Sequence, residues 1–363
     1  MTLGTCVVLI PPDGGRHIHG GDRYRRIADA TLSSHVDIRH VAWSTEPPAV
    51  WDDVLHGADA LVVSPWLSLL DPPSFDGFHL DLAPELKVIA GTFDFRLGWI
   101  DLDDAGRRSV VVVDTSRTMT PTVAEFGVAI MLSLLRDIPL AIDVVRNGGW
   151  FGGPRDDEPT VLRDLADCRV GLAGYGSINR HVRRFLEGFG CDVSIYDPFL
   201  TDDVVRAEAV GRAGSLVELA RASDIFVVAI PPTPATLGVI DGSVIDALGT
   251  GSLFVLLSRM AVVEQEPLWR RLRAGELRAA IDVFDPEPPP PDAWFRHAPN
   301  VLPTPHMAGN VWFAHERCFR EACEDALRVL RGQPAIHAAT AHDRNHYDGS
   351  LDAELGRETT IRA

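Results

Sequence analysis

Three polar side chains, Arg259, Glu287 and His306, each follow an apolar stretch in the last third of the sequence. The three stretches read "LFVLLSRM", "AAIDVFDPEP" and "NVLPTPHMAG". A histidine can take the proton of an alcohol, or return it to a ketone, near neutral pH. A glutamate beside it would hold the ring, and an arginine can bind a carboxylate with two hydrogen bonds. Each residue alone is more often a surface or capping residue, but together they predict redox chemistry on a hydroxy acid.

Such a reaction needs a hydride carrier, and the stretch "VGLAGYGSIN", residues 170–179, indicates where one binds. It reads as a strand, a glycine loop and the start of a helix. Gly174 permits the tight turn, and Gly176 lets the backbone approach a pyrophosphate. Asn179 stands where dinucleotide-binding loops have a third glycine, which serves helix–strand packing. We therefore expect an intact site with a helix that packs slightly further out.

The next predicted strand, "DVSIYD", ends at Asp197. A carboxylate at this distance from a glycine loop can bind the ribose hydroxyls of a dinucleotide. The residues that follow, "PFL", include no arginine that would bind a 2′-phosphate. The pattern favours NAD over NADP; the alternative is an ordinary aspartate at the end of a strand.

Two series of apolar runs alternate with helix-like stretches and would position these groups. The first series is "TCVVLI", "VDIRHVAW", "ADALVVS", "LKVIAGT" and "SVVVVDT"; the second is "RVGLAG", "DVSIYD", "DIFVVAI", "SLFVLLS", "LRAAIDVF" and "NVLPTPH". Such alternation is typical of parallel sheets that helices cover on both faces. We predict an α/β protein with two doubly wound parallel sheets. Because ligands bind beyond the carboxyl ends of such strands, the three polar residues are expected to share one crevice.

A long apolar helix separates the two series. Its predicted start is at Thr120 and Pro121, and the pattern stops at Asn147. Pro139 lies inside the pattern and is expected to kink or divide the helix.

Composition excludes several classes of function. The 363 residues carry a formal net charge of −17, and Lys87 is the only lysine. Nucleic acid is therefore an improbable partner, and a P-loop lysine or Schiff-base mechanism is almost excluded. Five cysteines without a C-x-x-C pair predict free thiols in a reducing cytoplasm. Neither a signal peptide nor a membrane span is predicted.

Two histidine pairs, His17/His19 and His342/His346, have spacings that a metal could use. Neither pair has cysteines nearby or a supporting carboxylate pattern, so we predict no metal site.

Taken together, the motifs resemble the D-isomer-specific 2-hydroxyacid dehydrogenase family, which includes phosphoglycerate, glycerate and D-lactate dehydrogenases. The similar stretches, from about residue 50 to residue 332, are "WIDLDDAGRRSVVV", "TPTVAEFGVAIMLSLLRDI", "VGLAGYGSIN", "YDP", "PPTPAT", "LSRM", "AAIDVFDPEPPP" and "NVLPTPHMAG". The resemblance implies a flavodoxin-like substrate domain (1–116 and 311–334) and a Rossmann NAD-binding domain (117–310). The tail that follows (335–363) is polar and weakly patterned, so we expect a mobile arm or a segment that becomes ordered with a partner. The resemblance also implies a cleft that closes by a hinge motion, and a homodimer formed through the long helix "TVAEFGVAIML".

The resemblance implies roles for individual residues. Arg259 would anchor the substrate, and Glu287 would pair with His306 as the catalytic histidine. The implied cofactor contacts, besides the two glycines of the loop, are Ser177, Ile178, Asp197, Ile230, Ser258 and Asp282.

The sequence departs from the family pattern at four places. Asn179 replaces a glycine, Met260 stands where glycine usually follows the arginine, and the tail is long. Asp94, Phe95 and Arg96 lie over a G-x-G turn whose backbone helps to bind the substrate carboxylate in the family. We hypothesise that Arg96, with Phe95 beside it, binds a larger or doubly anionic 2-oxo acid. The alternative is an Arg96 that faces solvent and pairs with Asp94.

Two other functions remain compatible with parts of the sequence. The same scaffold could serve a regulatory protein that binds NAD(H) with little or no turnover. A methyltransferase would explain the glycine loop but would leave Arg259, Glu287 and His306 without a role.

Overall fold

The computed structural model describes residues 2–11, 20–42, 51–65, 77–93, 100–152, 163–208 and 210–339. The chain divides into two compact units: Met1–Met119 with Val311–Ala363, and Thr120–Asn310. The border that we predicted after residue 116 lies just before the observed one. The assignment of substrate binding to the first unit and of NAD binding to the second stays a prediction.

The strands lie within the predicted apolar runs, with one short addition, β8. They are β1 (Thr5–Ile10), β2 (Asp37–Ala42), β3 (Ala60–Val63), β4 (Val88–Gly91), β5 (Val111–Asp114), β6 (Arg169–Ala173), β7 (Asp192–Tyr196), β8 (Gly211–Arg212), β9 (Ile225–Val228), β10 (Leu253–Leu256), β11 (Arg278–Ile281) and β12 (Val301–Pro303).

Helices connect these strands. They are α1 (Gly21–Leu32), α2 (Trp51–Leu55), α3 (Gly77–Asp81), α4 (Leu102–Arg107), α5 (Thr120–Leu135), α6 (Ile138–Arg146), α7 (Ser177–Leu186), α8 (Asp202–Glu208), α9 (Leu216–Ala222), α10 (Gly242–Ala247), α11 (Gln265–Arg273) and α12 (Trp312–Leu330).

The first unit is built on a five-stranded parallel sheet with the order β2-β1-β3-β4-β5. Alternate residues of each strand enter opposite cores, because successive side chains of a strand point to opposite faces. In β1, Val7 and Leu9 pack in one apolar cluster. Cys6, Val8 and Ile10 pack in the other, against residues of α1 and α12. The sheet is thus covered on both faces, as the continuous apolar runs predicted.

The second unit is built on a seven-stranded parallel sheet with the order β12-β11-β10-β9-β6-β7-β8. Its first strand, β6, has β7 on one side and β9 on the other. The direction of the strand order therefore reverses at β6, which is the kind of switch point where such sheets bind ligands. The predicted fold class, two doubly wound parallel-sheet units, is confirmed.

The long apolar helix is divided, as expected at Pro139. Asp137 has a left-handed backbone conformation with φ of 53° and separates α5 from α6. Arg278 of β11 fixes this junction, because its guanidinium donates to the Leu134 carbonyl and to the Asp137 carboxylate, each at 2.8 Å. The run Thr115–Leu135 has the length and hydropathy of a membrane span, but half of it is buried, as in a core helix.

The residues directly after α12 are not a mobile arm. The backbone N–H of Asp114 donates to the His337 carbonyl at 2.9 Å, and that of Ala339 donates to the Val112 carbonyl at 2.7 Å. Ala338 thereby forms an antiparallel bridge with Val113 of β5. Our expectation for the tail is wrong for residues 335–339, because edge strand β5 offers backbone groups to pair with. Residues 340–363 lie outside the described residues.

The cysteines are free, as predicted, and four of the five are buried. Burial raises the pKa of the Cys6 and Cys318 thiols to about 12. Such thiols stay protonated near neutral pH, so they pack as small apolar residues and are not nucleophiles.

Candidate functional site

The glycine loop joins β6 to α7 at the switch point of the second sheet. Gly174 has a φ of 76°, and a Cβ there would lie 2.9 Å from Cγ1 of Ile230 and 3.2 Å from the Ala229 carbonyl oxygen. A Cβ at Gly176 would meet no atom within 4 Å. Gly174 is thus required by the backbone and its neighbours, whereas Gly176 borders open space in front of α7, where a phosphate group can approach.

Helix α7 begins directly behind this space. Its N-cap is Gly176, and no side chain caps its first turn. Ser177 is exposed and Ile178 is half-buried at the start of the helix. Uncapped N–H groups and the positive end of the helix dipole favour an anion at this position.

Asn179 binds the backbone of the loop from behind through its amide nitrogen, while its Oδ1 is buried without a hydrogen-bond partner among the described residues. Its side chain is completely buried, and its amide nitrogen donates to the Ala173 carbonyl at 3.1 Å and to the Gly174 carbonyl at 2.6 Å. The expected outward displacement of the helix stays a prediction. The amide lies beside the loop and links helix α7 to the Ala173 and Gly174 carbonyl groups. A glycine at this position would have no side chain to bind them.

Asp197 follows β7 and holds the loop from the other side. Its carboxylate accepts the backbone N–H of Tyr175 at 2.8 Å and that of Phe199 at 2.9 Å. A charged acceptor therefore lies against the first turn of the glycine loop. This is the position that a ribose-binding carboxylate occupies in dinucleotide-binding folds.

Two further predicted contacts lie near the ends of β9 and β10. Ile230 is almost buried and packs beside Gly174. Ser258 is 7% exposed, and its hydroxyl has no hydrogen-bond partner among the described residues. Buried hydroxyl groups are normally satisfied, so this one suits a bond to a ligand. The open space at Gly176, the uncapped helix and the orphaned hydroxyl together fit a dinucleotide.

Strands β10, β11 and β12 are neighbours and run parallel, so their carboxyl ends meet at one edge of the sheet. The predicted residues Arg259, Glu287 and His306 follow these three strands. Nδ1 of His306 lies 3.0 Å from Oε1 of Glu287. Both side chains keep more than a third of their surface exposed. The structure thus brings the histidine and the glutamate into contact across 19 positions of sequence.

Arg259 leaves β10 in an extended conformation and starts the turn Met260–Val262. Its Nη1 donates to the Ser258 carbonyl at 2.9 Å. Met260 is 1% exposed and packs in the core of the unit. The methionine that replaces the family glycine therefore anchors this turn in the core.

Asp282 positions the loop that carries His306. Its carboxylate accepts the Thr304 hydroxyl at 2.6 Å and the backbone N–H groups of Met307 and Ala308 at 3.0 and 2.8 Å. Its carbonyl accepts the N–H of His306 at 2.8 Å. The cofactor contact of Asp282 stays a prediction, but both of its oxygens already bind this loop. Sequence reasoning missed this role, although an aspartate inside the apolar run "AAIDVF" was a signal for a buried acceptor.

His306 itself has a φ of 52°. Few residues other than glycine adopt this left-handed conformation, and it costs roughly 1–3 kcal/mol unless the surroundings impose it. The four hydrogen bonds from residues 304–308 to Asp282 impose it here. Such held strain is typical of residues whose direction matters for function.

Three groups of predicted site residues belong to other parts of the chain. Asp94, Phe95 and Arg96 lie outside the described residues, as do the histidine pairs His17/His19 and His342/His346. Within the described ranges, no group of three or more His, Cys, Asp or Glu side chains is arranged to hold a metal ion.

Comparison with known proteins identifies the family. Residues 128–308 match the model of the "D-isomer specific 2-hydroxyacid dehydrogenase, NAD binding domain". The human glyoxylate reductase/hydroxypyruvate reductase is 32% identical over 252 residues, which are 69% of this chain and 75% of that protein. The D-3-phosphoglycerate dehydrogenase of Archaeoglobus fulgidus is 29% identical over 72% of this chain, but the match spans only about half of that protein, 49%.

A solved structure, that of a phosphoglycerate oxidoreductase from Rhizobium etli, agrees with this result. It has a TM-score of 0.73 and 26% identity, and the similarity covers 93% of this chain and 98% of that one. The family uses NAD as its cofactor, which agrees with the loop at Gly174 and Gly176. The match of both the sequence and the fold means that this chain belongs to the D-isomer specific 2-hydroxyacid dehydrogenase family.

Proposed function

We propose that the protein is an NAD-dependent oxidoreductase that interconverts a 2-hydroxy acid and a 2-oxo acid. The observation that carries the proposal is the 3.0 Å contact between His306 and Glu287 at an edge of the sheet whose switch point holds the glycine loop. Neither feature alone implies a dehydrogenase. A proton-transferring pair and a dinucleotide loop on one sheet are the two parts that such a reaction needs.

In this mechanism His306 moves the proton of the substrate oxygen. Because Nδ1 contacts Glu287, Nε2 is the ring atom that exchanges a proton with the hydroxyl group or the carbonyl oxygen. Glu287 fixes the direction of the ring and stabilises the imidazolium after proton transfer. The nicotinamide, when bound, accepts or supplies the hydride.

Arg259 would bind the substrate carboxylate. A guanidinium offers two parallel N–H groups to a carboxylate, which fixes both the position and the rotation of the substrate. The turn Met260–Val262, anchored in the core by Met260, supports the arginine from behind. We keep the proposal that Phe95 and Arg96 add contacts for a larger or doubly anionic acid.

The cofactor would bind along the glycine loop and the neighbouring strand ends. Gly174, Gly176, Ser177 and Ile178 would contact the pyrophosphate, and Asp197 the ribose. Ile230, Ser258 and Asp282 would lie on the side of the nicotinamide. The net charge of −17 implies that these local donors, and not the overall field, attract the anionic ligands.

A substrate screen tests the proposed function. Purified protein is mixed with NADH and a panel of 2-oxo acids: glyoxylate, hydroxypyruvate, pyruvate and the dianionic 2-oxoglutarate and oxaloacetate. We expect NADH oxidation, followed by its absorbance, with at least one acid, and the reverse reaction with the matching D-hydroxy acid. NADH binding without turnover on a wide panel would instead support the regulatory protein, and the lack of any NADH binding would contradict both.

We also infer a homodimer formed through the second unit, in a protein of the cytoplasm without membrane or nucleic-acid partners. The resemblance implies an interface on the long helix α5, and the helix that follows it, α6, supports a dimer because it has no buried residue, although much of it is apolar. Ile142 and Val145 on it are 43% and 56% exposed, and Trp150 just beyond it is 82% exposed. A second copy of the chain is the partner that would cover this apolar face.

Charges placed on α6 should disrupt this dimer. In the variant Ile142→Asp/Val145→Asp, four carboxylates would face each other across a two-fold interface, so we expect the dimer Kd to rise at least about 10-fold. Sedimentation velocity over a range of concentrations measures it. Phe189→Asp, an exposed position on the same unit, serves as the matched control. A dimer that withstands both α6 charges would mean that the interface lies elsewhere.

A further inference from the structure

A cluster of charged side chains lies behind the glycine loop and has no part in the mechanism above. Oε1 of Glu208, the last residue of α8, accepts a hydrogen bond from Arg180 at 2.8 Å. Its Oε2 accepts one from the Tyr175 hydroxyl at 3.1 Å. The Glu208 carbonyl accepts one from Arg183 at 2.5 Å. Glu208 thus binds Tyr175, which is the loop residue between the two glycines. It also binds Arg180 and Arg183 of α7.

Tyr175 connects this cluster to the ribose end of the cofactor site. Its backbone N–H donates to Asp197, and its ring lies under the Arg180 guanidinium, 4.7 Å from the ring centroid. The ring is buried, and burial together with the bond to Glu208 raises the pKa of the hydroxyl to about 12. The tyrosine is therefore a neutral spacer with Asp197 at its backbone and Arg180 on its ring.

The charges of the cluster cancel. Arg180 pairs with Glu208, and Arg183 pairs with Glu187. Arg180 stacks on the ring of the loop residue Tyr175, and 39% of its side chain is exposed, so it could turn toward a phosphate if it were released. Glu208 both neutralises it and holds its guanidinium against the tyrosine ring.

We propose that Glu208 is a specificity-determining residue that makes the protein reject a 2′-phosphorylated dinucleotide by sequestering Arg180. The inference rests on the proposed function, because it concerns the same cofactor site. Asp197 would repel a 2′-phosphate directly, and Glu208 would sequester Arg180, a cation that could otherwise compensate. The discrimination then depends on two carboxylates, of which only Asp197 touches the ribose.

The test compares NADH and NADPH on Glu208→Gln. Glutamine keeps the shape and can still accept the Tyr175 hydroxyl, but it leaves Arg180 without its carboxylate partner, whereas Arg183 keeps its ion pair with Glu187. A unit charge acting on a phosphate dianion at about 10 Å, at a dielectric constant between about 40 and 80, changes affinity roughly 3- to 20-fold. We expect Kd for NADPH, measured by protein fluorescence, to fall by that factor while Kd for NADH changes less than about 2-fold.

Two further variants show whether Glu208→Gln acts through the change in charge or through a loss of structure. Glu208→Gln/Arg180→Gln should return the NADPH/NADH ratio to the wild-type value, because the released cation is gone. Glu187→Gln removes the same charge at the far end of α7, where Glu187 pairs with Arg183, and should leave the ratio unchanged.

The cofactor affinities of these variants distinguish a failure of the inference from a failure of the proposed function. An unchanged ratio in Glu208→Gln, or a gain that persists without Arg180, overturns the inference while the proposed function stands. A parallel loss of affinity for both cofactors also overturns it, since Glu208 would then only tie α8 to the loop. If the wild-type protein binds neither dinucleotide, the proposed function itself fails.

Discussion

Replacement of His306 by glutamine is expected to lower kcat by about 10²- to 10⁴-fold, the usual contribution of a general acid–base group. Glutamine can still donate a hydrogen bond to the Glu287 carboxylate, so the loop should keep its conformation. It cannot take up a proton near neutral pH, so the substrate oxygen loses its proton donor and acceptor. The measurement is the steady-state rate with the best acid of the substrate panel.

The variant His297→Gln is the matched control. His297 lies on the connection between β11 and β12 that also carries Glu287, is exposed, and has no predicted role. It should retain wild-type kcat, and both variants should bind NADH with Kd within about 3-fold of wild type. Near-normal turnover in His306→Gln would remove the histidine from the mechanism. A loss of NADH binding in that variant would point to a damaged loop instead of a missing acid–base group.

The fold follows from local patterns to a large extent. Strands such as β1 and β10 are short β-branched or aromatic runs buried on both faces, and such runs can be recognised without knowledge of their partners. The division of α5 from α6 at Pro139 is equally local. Residues 335–339 were misjudged because their order comes from edge strand β5, which is more than 200 positions away in sequence.

Candidate site residues could be selected from the sequence where one residue type carries the chemistry. His306, Glu287 and Arg259 could be selected because polar residues after apolar strands meet at one sheet edge. Asn179 could not be judged in the same way. Its effect depends on whether its amide reaches two carbonyl groups of the loop, and only the packing of α7 against β6 decides this.

The contacts that support the site could not be predicted from the sequence, for a related reason. Glu208 and Tyr175 are 33 positions apart, and Asp282 and Ala308 are 26 apart. Each is a side chain that binds a distant loop, and no periodicity or spacing rule connects such pairs. Asp282 is the clearest case. As a family residue it was assigned to the cofactor, whereas its hydrogen bonds first of all shape the loop of His306.

The variant Asp282→Asn is therefore expected to disturb the His306 loop, although the two residues are close in size. The carboxylate accepts three donors, and an asparagine has only one oxygen. In one orientation its amide N–H₂ would face the Ala308 N–H. In the other orientation it would face both the Met307 N–H and the Thr304 hydroxyl. With the group 1% exposed, a donor facing a donor and the loss of charge-assisted bonds should cost about 2–4 kcal/mol.

Two measurements detect this change. Hydrogen exchange of the Met307 and Ala308 amides should become about 30- to 1,000-fold faster, which is the same free energy expressed as a local opening constant. The kcat should fall at least about 10-fold, because His306 would lose the strained backbone conformation that directs its ring. A catalytic role of Asp282 alone would lower kcat and leave the exchange rates unchanged.

Asp292→Asn supplies the control, because Asp292 is an exposed aspartate on the same connection between β11 and β12. It should change neither exchange nor turnover. If Asp282→Asn likewise left the Ala308 amide protected, the loop would not depend on the buried carboxylate. The left-handed conformation of His306 would then need another source. Because His306 can act on a substrate only in a fixed direction, this variant tests whether a buried acceptor that meets no substrate sets the geometry of the proton transfer.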